Sequence, residues 1–190
     1  MERHGWKSLY ELAEPQAGYF TAGQAAAIGV VRQYLQHYLG HDRLVRVARG
    51  IYRLKQFPEQ PFEDMVVACL WAGDGTAISH ESALAVYGLG DAMPPFIHMT
   101  SPVPFRGRRA GVIVHVAPMG PDERTVRDRV PVTTVERTLA DMARAHPEGG
   151  ARALVKEAFT RGLSSERRLS RFLHAHPDAV FLKKAFRGRT

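Results

Sequence analysis

The hydrophobic period of the chain changes once near its start, and that change limits the folds open to it. Thr21 is followed three residues later by Gln24. At this spacing a hydroxyl and an amide cap each other's backbone N–H groups, so a short helix is expected to begin at Ala22. Gly29 breaks that helix, and Val30 to about Leu39 resumes helical spacing. After Gly40 the period becomes that of strands. Leu44, Val45, Val47, Ile51 and Tyr52 are strand formers, and Ala48-Arg49-Gly50 supplies a turn between two short strands. Upstream, Trp6, Leu9, Tyr10 and Ala13 recur at helical spacing and predict a first helix over 5–14, ended by Pro15 and Gly18. Helix, helix, tight turn, helix, hairpin is the order of a winged helix-turn-helix.

The proline-bearing stretch Gln56-Phe57-Pro58-Glu59-Gln60-Pro61 reads as a domain boundary. The winged helix is therefore expected over 1–57, and a mixed α/β domain over 60–190 that ends in a helical tail from about 147. In this second part Phe62–Trp71, Ser79–Tyr87 and Val135–Ala145 read as helices. Ser79 is the expected cap of the second, with Ala83, Leu84 and Tyr87 facing inward. Phe96–Thr100 and Gly111–Ala117 read as strands, and Val130–Thr134 as a third, placed at an edge by Pro131. Glu148–Arg161 and Ser165–Ala175 complete the pattern as arginine-bearing helices. The fold class is α+β.

Charge suggests a partner. The 190 residues carry 26 Lys/Arg against 19 Asp/Glu, a formal net of +7. The excess is uneven: +3 over residues 1–60, −2 over 61–130 and +6 over 131–190. Two basic ends of this kind suit a polyanion, because cations that neutralise phosphates release counterions. A single cysteine, Cys69, lies in an apolar run and allows no intrachain disulfide, which fits a reducing compartment and a buried thiol. No apolar run approaches a membrane span, and the N-terminal residues lack the apolar stretch of a signal peptide. These features predict a cytoplasmic protein that does not engage a membrane.

On a helical wheel of residues 31–39, Val31, Tyr34, Leu35, Tyr38 and Leu39 fall on one side and are expected to pack inward. Arg32, Gln33, Gln36 and His37 fall on the other. Arginine chelates guanine and glutamine pairs with adenine, so Arg32, Gln33 and Gln36 are candidates for direct base readout, with His37 beside them. The hairpin adds Arg43, Arg46, Arg49 and Arg53, with Asp42 as the nearby acid. Arg49 at the turn is a minor-groove candidate, while Arg46 and Arg53 are placed to hold phosphates. Gly50 is explained by a turn that needs positive φ, and Tyr52 reads as a strand or core residue.

Phe20-Thr21 leading into the capped helix, together with Leu44-Val45-Arg46-Val47-Ala48-Arg49-Gly50-Ile51-Tyr52-Arg53-Leu54, resembles the N-terminal domain of the AbiEi family of antitoxins. The runs from Ala77 to Leu89 and from Val130 to Asp141 resemble that family's second-domain signatures. The likeness covers roughly residues 10–145. It implies an antitoxin of a type IV, abortive-infection toxin–antitoxin pair that represses its own operon at inverted repeats. The cognate toxin would be of the nucleotidyltransferase type. The winged domain, Thr21 included, would read the operator, as a homodimer formed beforehand or on the DNA itself. The second domain would serve antitoxin action and add basic contacts. Two alternatives stand beside this: a stand-alone winged-helix regulator, and an interaction module that neutralises a toxin without reading DNA.

No enzymatic motif competes. Ser79, His80 and Glu81 are consecutive, so on a helix their side chains diverge and form no dyad. His80-Glu81 lacks the second histidine of a zinc-protease helix. His174-x-His176 lacks a third ligand nearby and reads as a surface tail. No cofactor is implied. The basic tail offers Arg161, Arg167, Arg168, Arg171, Lys183 and Lys184, with Arg187 and Arg189, as candidates for a toxin face or auxiliary DNA contact. A solvated helix face is the plain alternative for them.

Overall fold

The computed structural model describes residues 2–147 and 150–187. The chain is a mixed α+β protein that divides into two compact units. One comprises residues 1–74 with 128–130, and the other 75–127 with 131–190.

In the first unit, helix α1 (Glu2–Ala13) is closed by a 3-10 turn at Glu14–Gln16. Leu9 and Ala13 are fully buried, as the spacing predicts, and Trp6 packs against the same core. Tyr10, expected inward, is 43% exposed and leans on Phe57. The chain then turns through Gly18, where φ is +84° and a Cβ would lie 2.5 Å from the Phe57 ring. Only glycine tolerates both demands. Strand β1 (Tyr19–Thr21) follows, then α2 (Ala22–Ala27) and α3 (Arg32–Gly40). The cap forms in full: Gln24 N donates to Thr21 Oγ1 at 3.1 Å, and Thr21 N donates to Gln24 Oε1 at 2.8 Å. Helix α3 starts two residues later than its apolar spacing suggests, because Val31 is still extended, with ψ at 162°.

Strands β2 (Leu44–Ala48) and β3 (Ile51–Leu54) form the predicted hairpin around Arg49-Gly50, with Gly50 at φ +75°. Strand β1 adds to its far side, giving an antiparallel sheet in the order β1-β3-β2. No local signal marks β1: three residues become a strand only because Phe20 meets Tyr52 across the ladder. Their rings stack at 5.8 Å, and both join the core with Leu35, Tyr38, Leu44 and Leu54. Helix α4 (Glu63–Ala72) packs on β1 and β3 within this unit, with Cys69 buried.

The second unit holds a five-stranded sheet in the order β6-β5-β4-β8-β7. These strands are β4 (Ala77–Ile78), β5 (Ile97–Ser101), β6 (Val112–Val116), β7 (Arg124–Arg127) and β8 (Val130–Thr133). Pro131 predicts an edge, yet β8 lies between β4 and β7. The missing N–H is tolerated because β4 is only two residues long and meets β8 at Ile78 and Val132. Helices α5 (His80–Tyr87), α6 (Val135–Ala145), α7 (Ala151–Thr160), α8 (Glu166–Ala175) and α9 (Val180–Arg187) accompany the sheet. Ala83, Leu84 and Tyr87 are buried, as predicted. Helix α9 lies in the stretch read as tail, and it packs on α6 and α7 with Leu182 buried. Glu148, the expected start of one helix, and Arg189 of the basic tail lie outside the described residues. Among the described residues no helix is long and apolar enough to cross a membrane.

Candidate nucleic-acid interface

Helix α3 is positioned by what it buries. Leu35 and Tyr38 are 2% and 1% exposed, and they anchor the helix on the core of the first unit. The opposite arc stays in solvent. Arg32, Gln33, Gln36 and His37 are all exposed, so the four candidates share one face. The His37 ring meets that of Tyr38 at a steep angle, 5.7 Å away, and lies 4.1 Å from the His41 ring. Val31 and Tyr34, expected inward, are instead 51% and 36% exposed. Val31 precedes the first helical turn, and its extended backbone takes it off the wheel on which it was placed. Tyr34 lies just past the rim of the buried arc.

The hairpin divides its arginines into two classes. Arg46 and Arg49 are exposed, and the Arg46 side chain reaches the Ala48 carbonyl at 3.4 Å. A bulge interrupts the β2–β3 register between Arg46 and Ala48. Arg43 is exposed but lies over the Trp6 ring at 3.6 Å, a cation–π contact that pins the start of β2 to α1. Arg53, a candidate phosphate contact, is taken up inside the unit. Its side chain is 14% exposed and it donates to Glu63 Oε1 at 3.0 Å and to the Phe57 carbonyl at 3.0 Å. Tyr19 donates its hydroxyl to the same carboxylate at 2.7 Å. Burial, then the neighbouring Glu63, pushes the Tyr19 phenol up to about 12. Arg53 is thus a tie between β3 and α4. Strand parity placed it correctly in the hairpin but could not reveal a partner ten residues away. Thr21 likewise spends its side-chain oxygen on the α2 cap.

From Pro15 to Pro58 the chain carries six Lys/Arg and one acid, Asp42, which pairs with Lys55. A face of amides, a histidine and exposed guanidinium groups is chemically suited to phosphate oxygens and base edges.

The tail candidates divide in the same way. Arg161 donates to the Tyr87 carbonyl at 3.2 Å, donates to that of Gly88 and pairs with Glu157, so it closes the C-terminus of α5. Arg168 pairs with the buried Glu136 at 3.1 Å, and Ser164 donates to the same carboxylate. These two are structural. Arg167, Arg171 and Lys184 are exposed, and Lys183 is half-buried.

The second unit also holds a histidine cluster that sequence spacing does not foretell. His80, His98 and His115 come from α5, β5 and β6, and the His80 and His115 rings stack at 3.8 Å. His98 Nδ1 lies 3.1 Å from His115 Nε2 and 3.5 Å from Glu81 Oε2, and His146 Nε2 lies 3.1 Å from Glu81 Oε1. Helical spacing predicts that Ser79 and His80 diverge. The backbone of His80 is instead left-handed, at φ 53°, so its Nδ1 comes within 2.9 Å of Ser79 Oγ. Ser79 is fully buried and receives the Thr100 hydroxyl rather than capping α5. Residues 80, 98, 115 and 146 share no period; the sheet assembles them.

This cluster makes stability depend on pH. Burial, then the charge of His115, lowers the pKa of His80 from 6.5 to about 3, and burial lowers that of His115 as well. Below about pH 6.5 the unfolded chain binds protons that His80 and His115 refuse in the folded chain. Stability is therefore full above that pH and falls on acidification, by up to about 1.4 kcal/mol per pH unit for one such group. Urea unfolding at pH 7.5 and 5.5 should show the loss, and His80→Gln should reduce it. A pH-independent midpoint would contradict the geometry.

The family model described as "Transcriptional regulator, AbiEi antitoxin" matches residues 7–55. No curated protein matches the chain. Among solved structures it is similar to the crystal structure of the RV2827C protein from Mycobacterium tuberculosis, at 17% identity and a TM-score of 0.48. That likeness covers 94% of this chain and 75% of the other.

Proposed function

We propose that this chain, whose residues 7–55 match the family model of AbiEi antitoxin transcriptional regulators, is an operator-binding autorepressor. In this reading residues 1–57 form a winged helix-turn-helix, with α3 as the reading helix and the β2–β3 hairpin as the wing. The observation that carries it is the outward face of α3, where Arg32, Gln33 and Gln36 stand exposed together above a fully packed inner face. Arg32 and the two glutamines read base edges in the major groove, and Arg46 and Arg49 hold the backbone or the adjacent minor groove. Arg53 acts indirectly, by fixing β3 to α4. Two copies, paired in solution or on DNA, bind inverted repeats, because operator symmetry mirrors protein symmetry.

A second role is proposed on the resemblance to antitoxins. The chain counters a nucleotidyltransferase-type toxin in a type IV, abortive-infection system of the cytoplasm, through the 60–190 domain. Arg167, Arg171, Lys183 and Lys184 are the tail cations left for a toxin or for flanking DNA.

The test is fluorescence anisotropy with the DNA upstream of the protein's own reading frame, across a salt series. Specific binding is expected, with log affinity falling against log salt by about 0.9 for each phosphate neutralised. Affinity for random duplex equal to that for the upstream region would remove the operator reading. A flat salt dependence would remove the electrostatic account.

A further inference from the structure

Three apolar side chains stand in solvent where α2 passes into α3. Ile28 is 40% exposed, Val31 51% and Tyr34 36%. They fall within seven residues, immediately beside Arg32 and Gln33. Single exposed apolar residues need no explanation. These differ in their setting, because the packing of α3 is already complete without them. Leu35 and Tyr38 fill the core side, and Leu39 packs against the same cluster. Val31 and Tyr34 add nothing to it.

From these observations we infer that Val31 and Tyr34 are specificity-determining residues that read the C5-methyl groups of thymines in the operator's major groove. The inference rests on the operator-binding reading above and names what that helix reads. The major-groove edge of a duplex carries donors, acceptors and one apolar feature, the thymine methyl. A helix start that presents a valine and a phenol ring on either side of a guanidinium and an amide, in the order Val31-Arg32-Gln33-Tyr34, matches an edge of mixed character. Glutamine satisfies the N6 and N7 of an adenine, and an apolar neighbour covers the methyl of a thymine on the same or the adjoining pair. The exposed charge commits the occupant to a polyanion: Arg32, Arg43, Arg46 and Arg49 are exposed, and the one acid between Pro15 and Pro58, Asp42, is paired with Lys55. An apolar protein partner would gain nothing from that field. Each operator half-site is therefore expected to contain A·T pairs whose thymine methyls pack on Val31 and Tyr34.

The experiment uses the full chain and the upstream DNA amplified twice, once with thymidine and once with deoxyuridine throughout. Uracil pairs as thymine does and lacks only the methyl. The wild-type protein is expected to bind the uracil duplex more weakly, by about fourfold for each packed methyl removed. The variant Val31→Ala with Tyr34→Ala is expected to bind the thymine duplex more weakly and to make no distinction between the two. Both positions are exposed, so folding should survive, and circular dichroism checks it. Val31→Thr, which keeps the shape and places a hydroxyl against the methyl, is a second variant and should lose part of the discrimination. Equal wild-type affinity for the two duplexes, with upstream binding intact, overturns the methyl readout and leaves operator binding standing. Discrimination that persists unchanged in the double variant assigns the methyls to other residues and overturns the inference. Failure to bind either duplex specifically overturns the operator reading itself.

Discussion

Alanine at Arg32 and Gln36 together is expected to weaken operator binding by about 2–6 kcal/mol per half-site, at least roughly thirtyfold, since each well-placed bidentate base contact is worth about 1–3 kcal/mol. The two side chains lie on one exposed arc of α3, and neither contributes to the core beneath it. The loss should therefore fall on binding and spare folding, because exposed substitutions away from special contacts usually change stability by no more than about 0.5 kcal/mol. Specificity should fall with affinity, so that the double variant treats upstream and random duplex more nearly alike. Arg49→Ala provides the contrast. Without its guanidinium at the hairpin turn, binding to phosphates or the minor groove weakens similarly for all sequences, and the salt slope falls by about 1. Anisotropy titrations of both variants against both duplexes separate the two effects. Unchanged upstream affinity in Arg32→Ala with Gln36→Ala would sink the assignment of α3 as the reading helix.

The second large effect lies in the other unit, at Arg137. Its side chain is 11% exposed. It donates to Asp141 at 2.9 Å, to Glu123 at 2.8 Å and to the Pro118 carbonyl at 2.8 Å. Burial works against its charge, and the two carboxylates more than offset that, so its pKa rises. Glu123 and Asp141 are themselves about nine-tenths buried, and Asp141 Oδ2 is buried with no hydrogen-bond partner among the described residues. Burial raises the Asp141 pKa despite the neighbouring guanidinium. Arg137→Leu would leave two buried carboxylates without their cation, and removing one partner of a buried pair costs about 3–5 kcal/mol. The variant should therefore unfold at clearly lower urea than the wild type. Part of the loss should return as pH falls, because protonation relieves the stranded carboxylates, whereas the wild type loses stability over the same range. A loss below about 1 kcal/mol at pH 7.5 would mean that the three groups do not depend on one another as their distances indicate.

Much of the first unit was legible because its determinants are local. A hydroxyl and an amide three residues apart form their cap whatever surrounds them, so the Thr21–Gln24 box and the start of α2 could be read directly. The turn at Gly50 requires a left-handed residue, and the alternation on either side specifies a hairpin. The outward arc of α3 was legible in four of its members, because a period of 3.6 orders any residue inside a regular helix. That period misplaced Val31, which precedes regular helix, and Tyr34, which stands at the rim.

What stayed hidden was decided by partners distant in sequence. Arg53 and Arg168 look like free cations when only the basic residues are counted. Each becomes a structural tie because folding brings a carboxylate against it, the half-buried Glu63 in one case and the buried Glu136 in the other. Strand β1 exists because Phe20 finds Tyr52, and Pro131 sits inside a sheet because β4 is too short to demand its N–H. The histidine cluster arises from three elements and a left-handed turn at His80 that no periodicity anticipates. By itself, then, the sequence determined helix α3 and the β2–β3 hairpin of this protein, down to the change of period after Gly40, since capping, turns and amphipathic spacing are short-range. Which of its many cations remain exposed and uncommitted was decided only by the tertiary structure, because that depends on whether an acid, a carbonyl or a ring has been brought within reach.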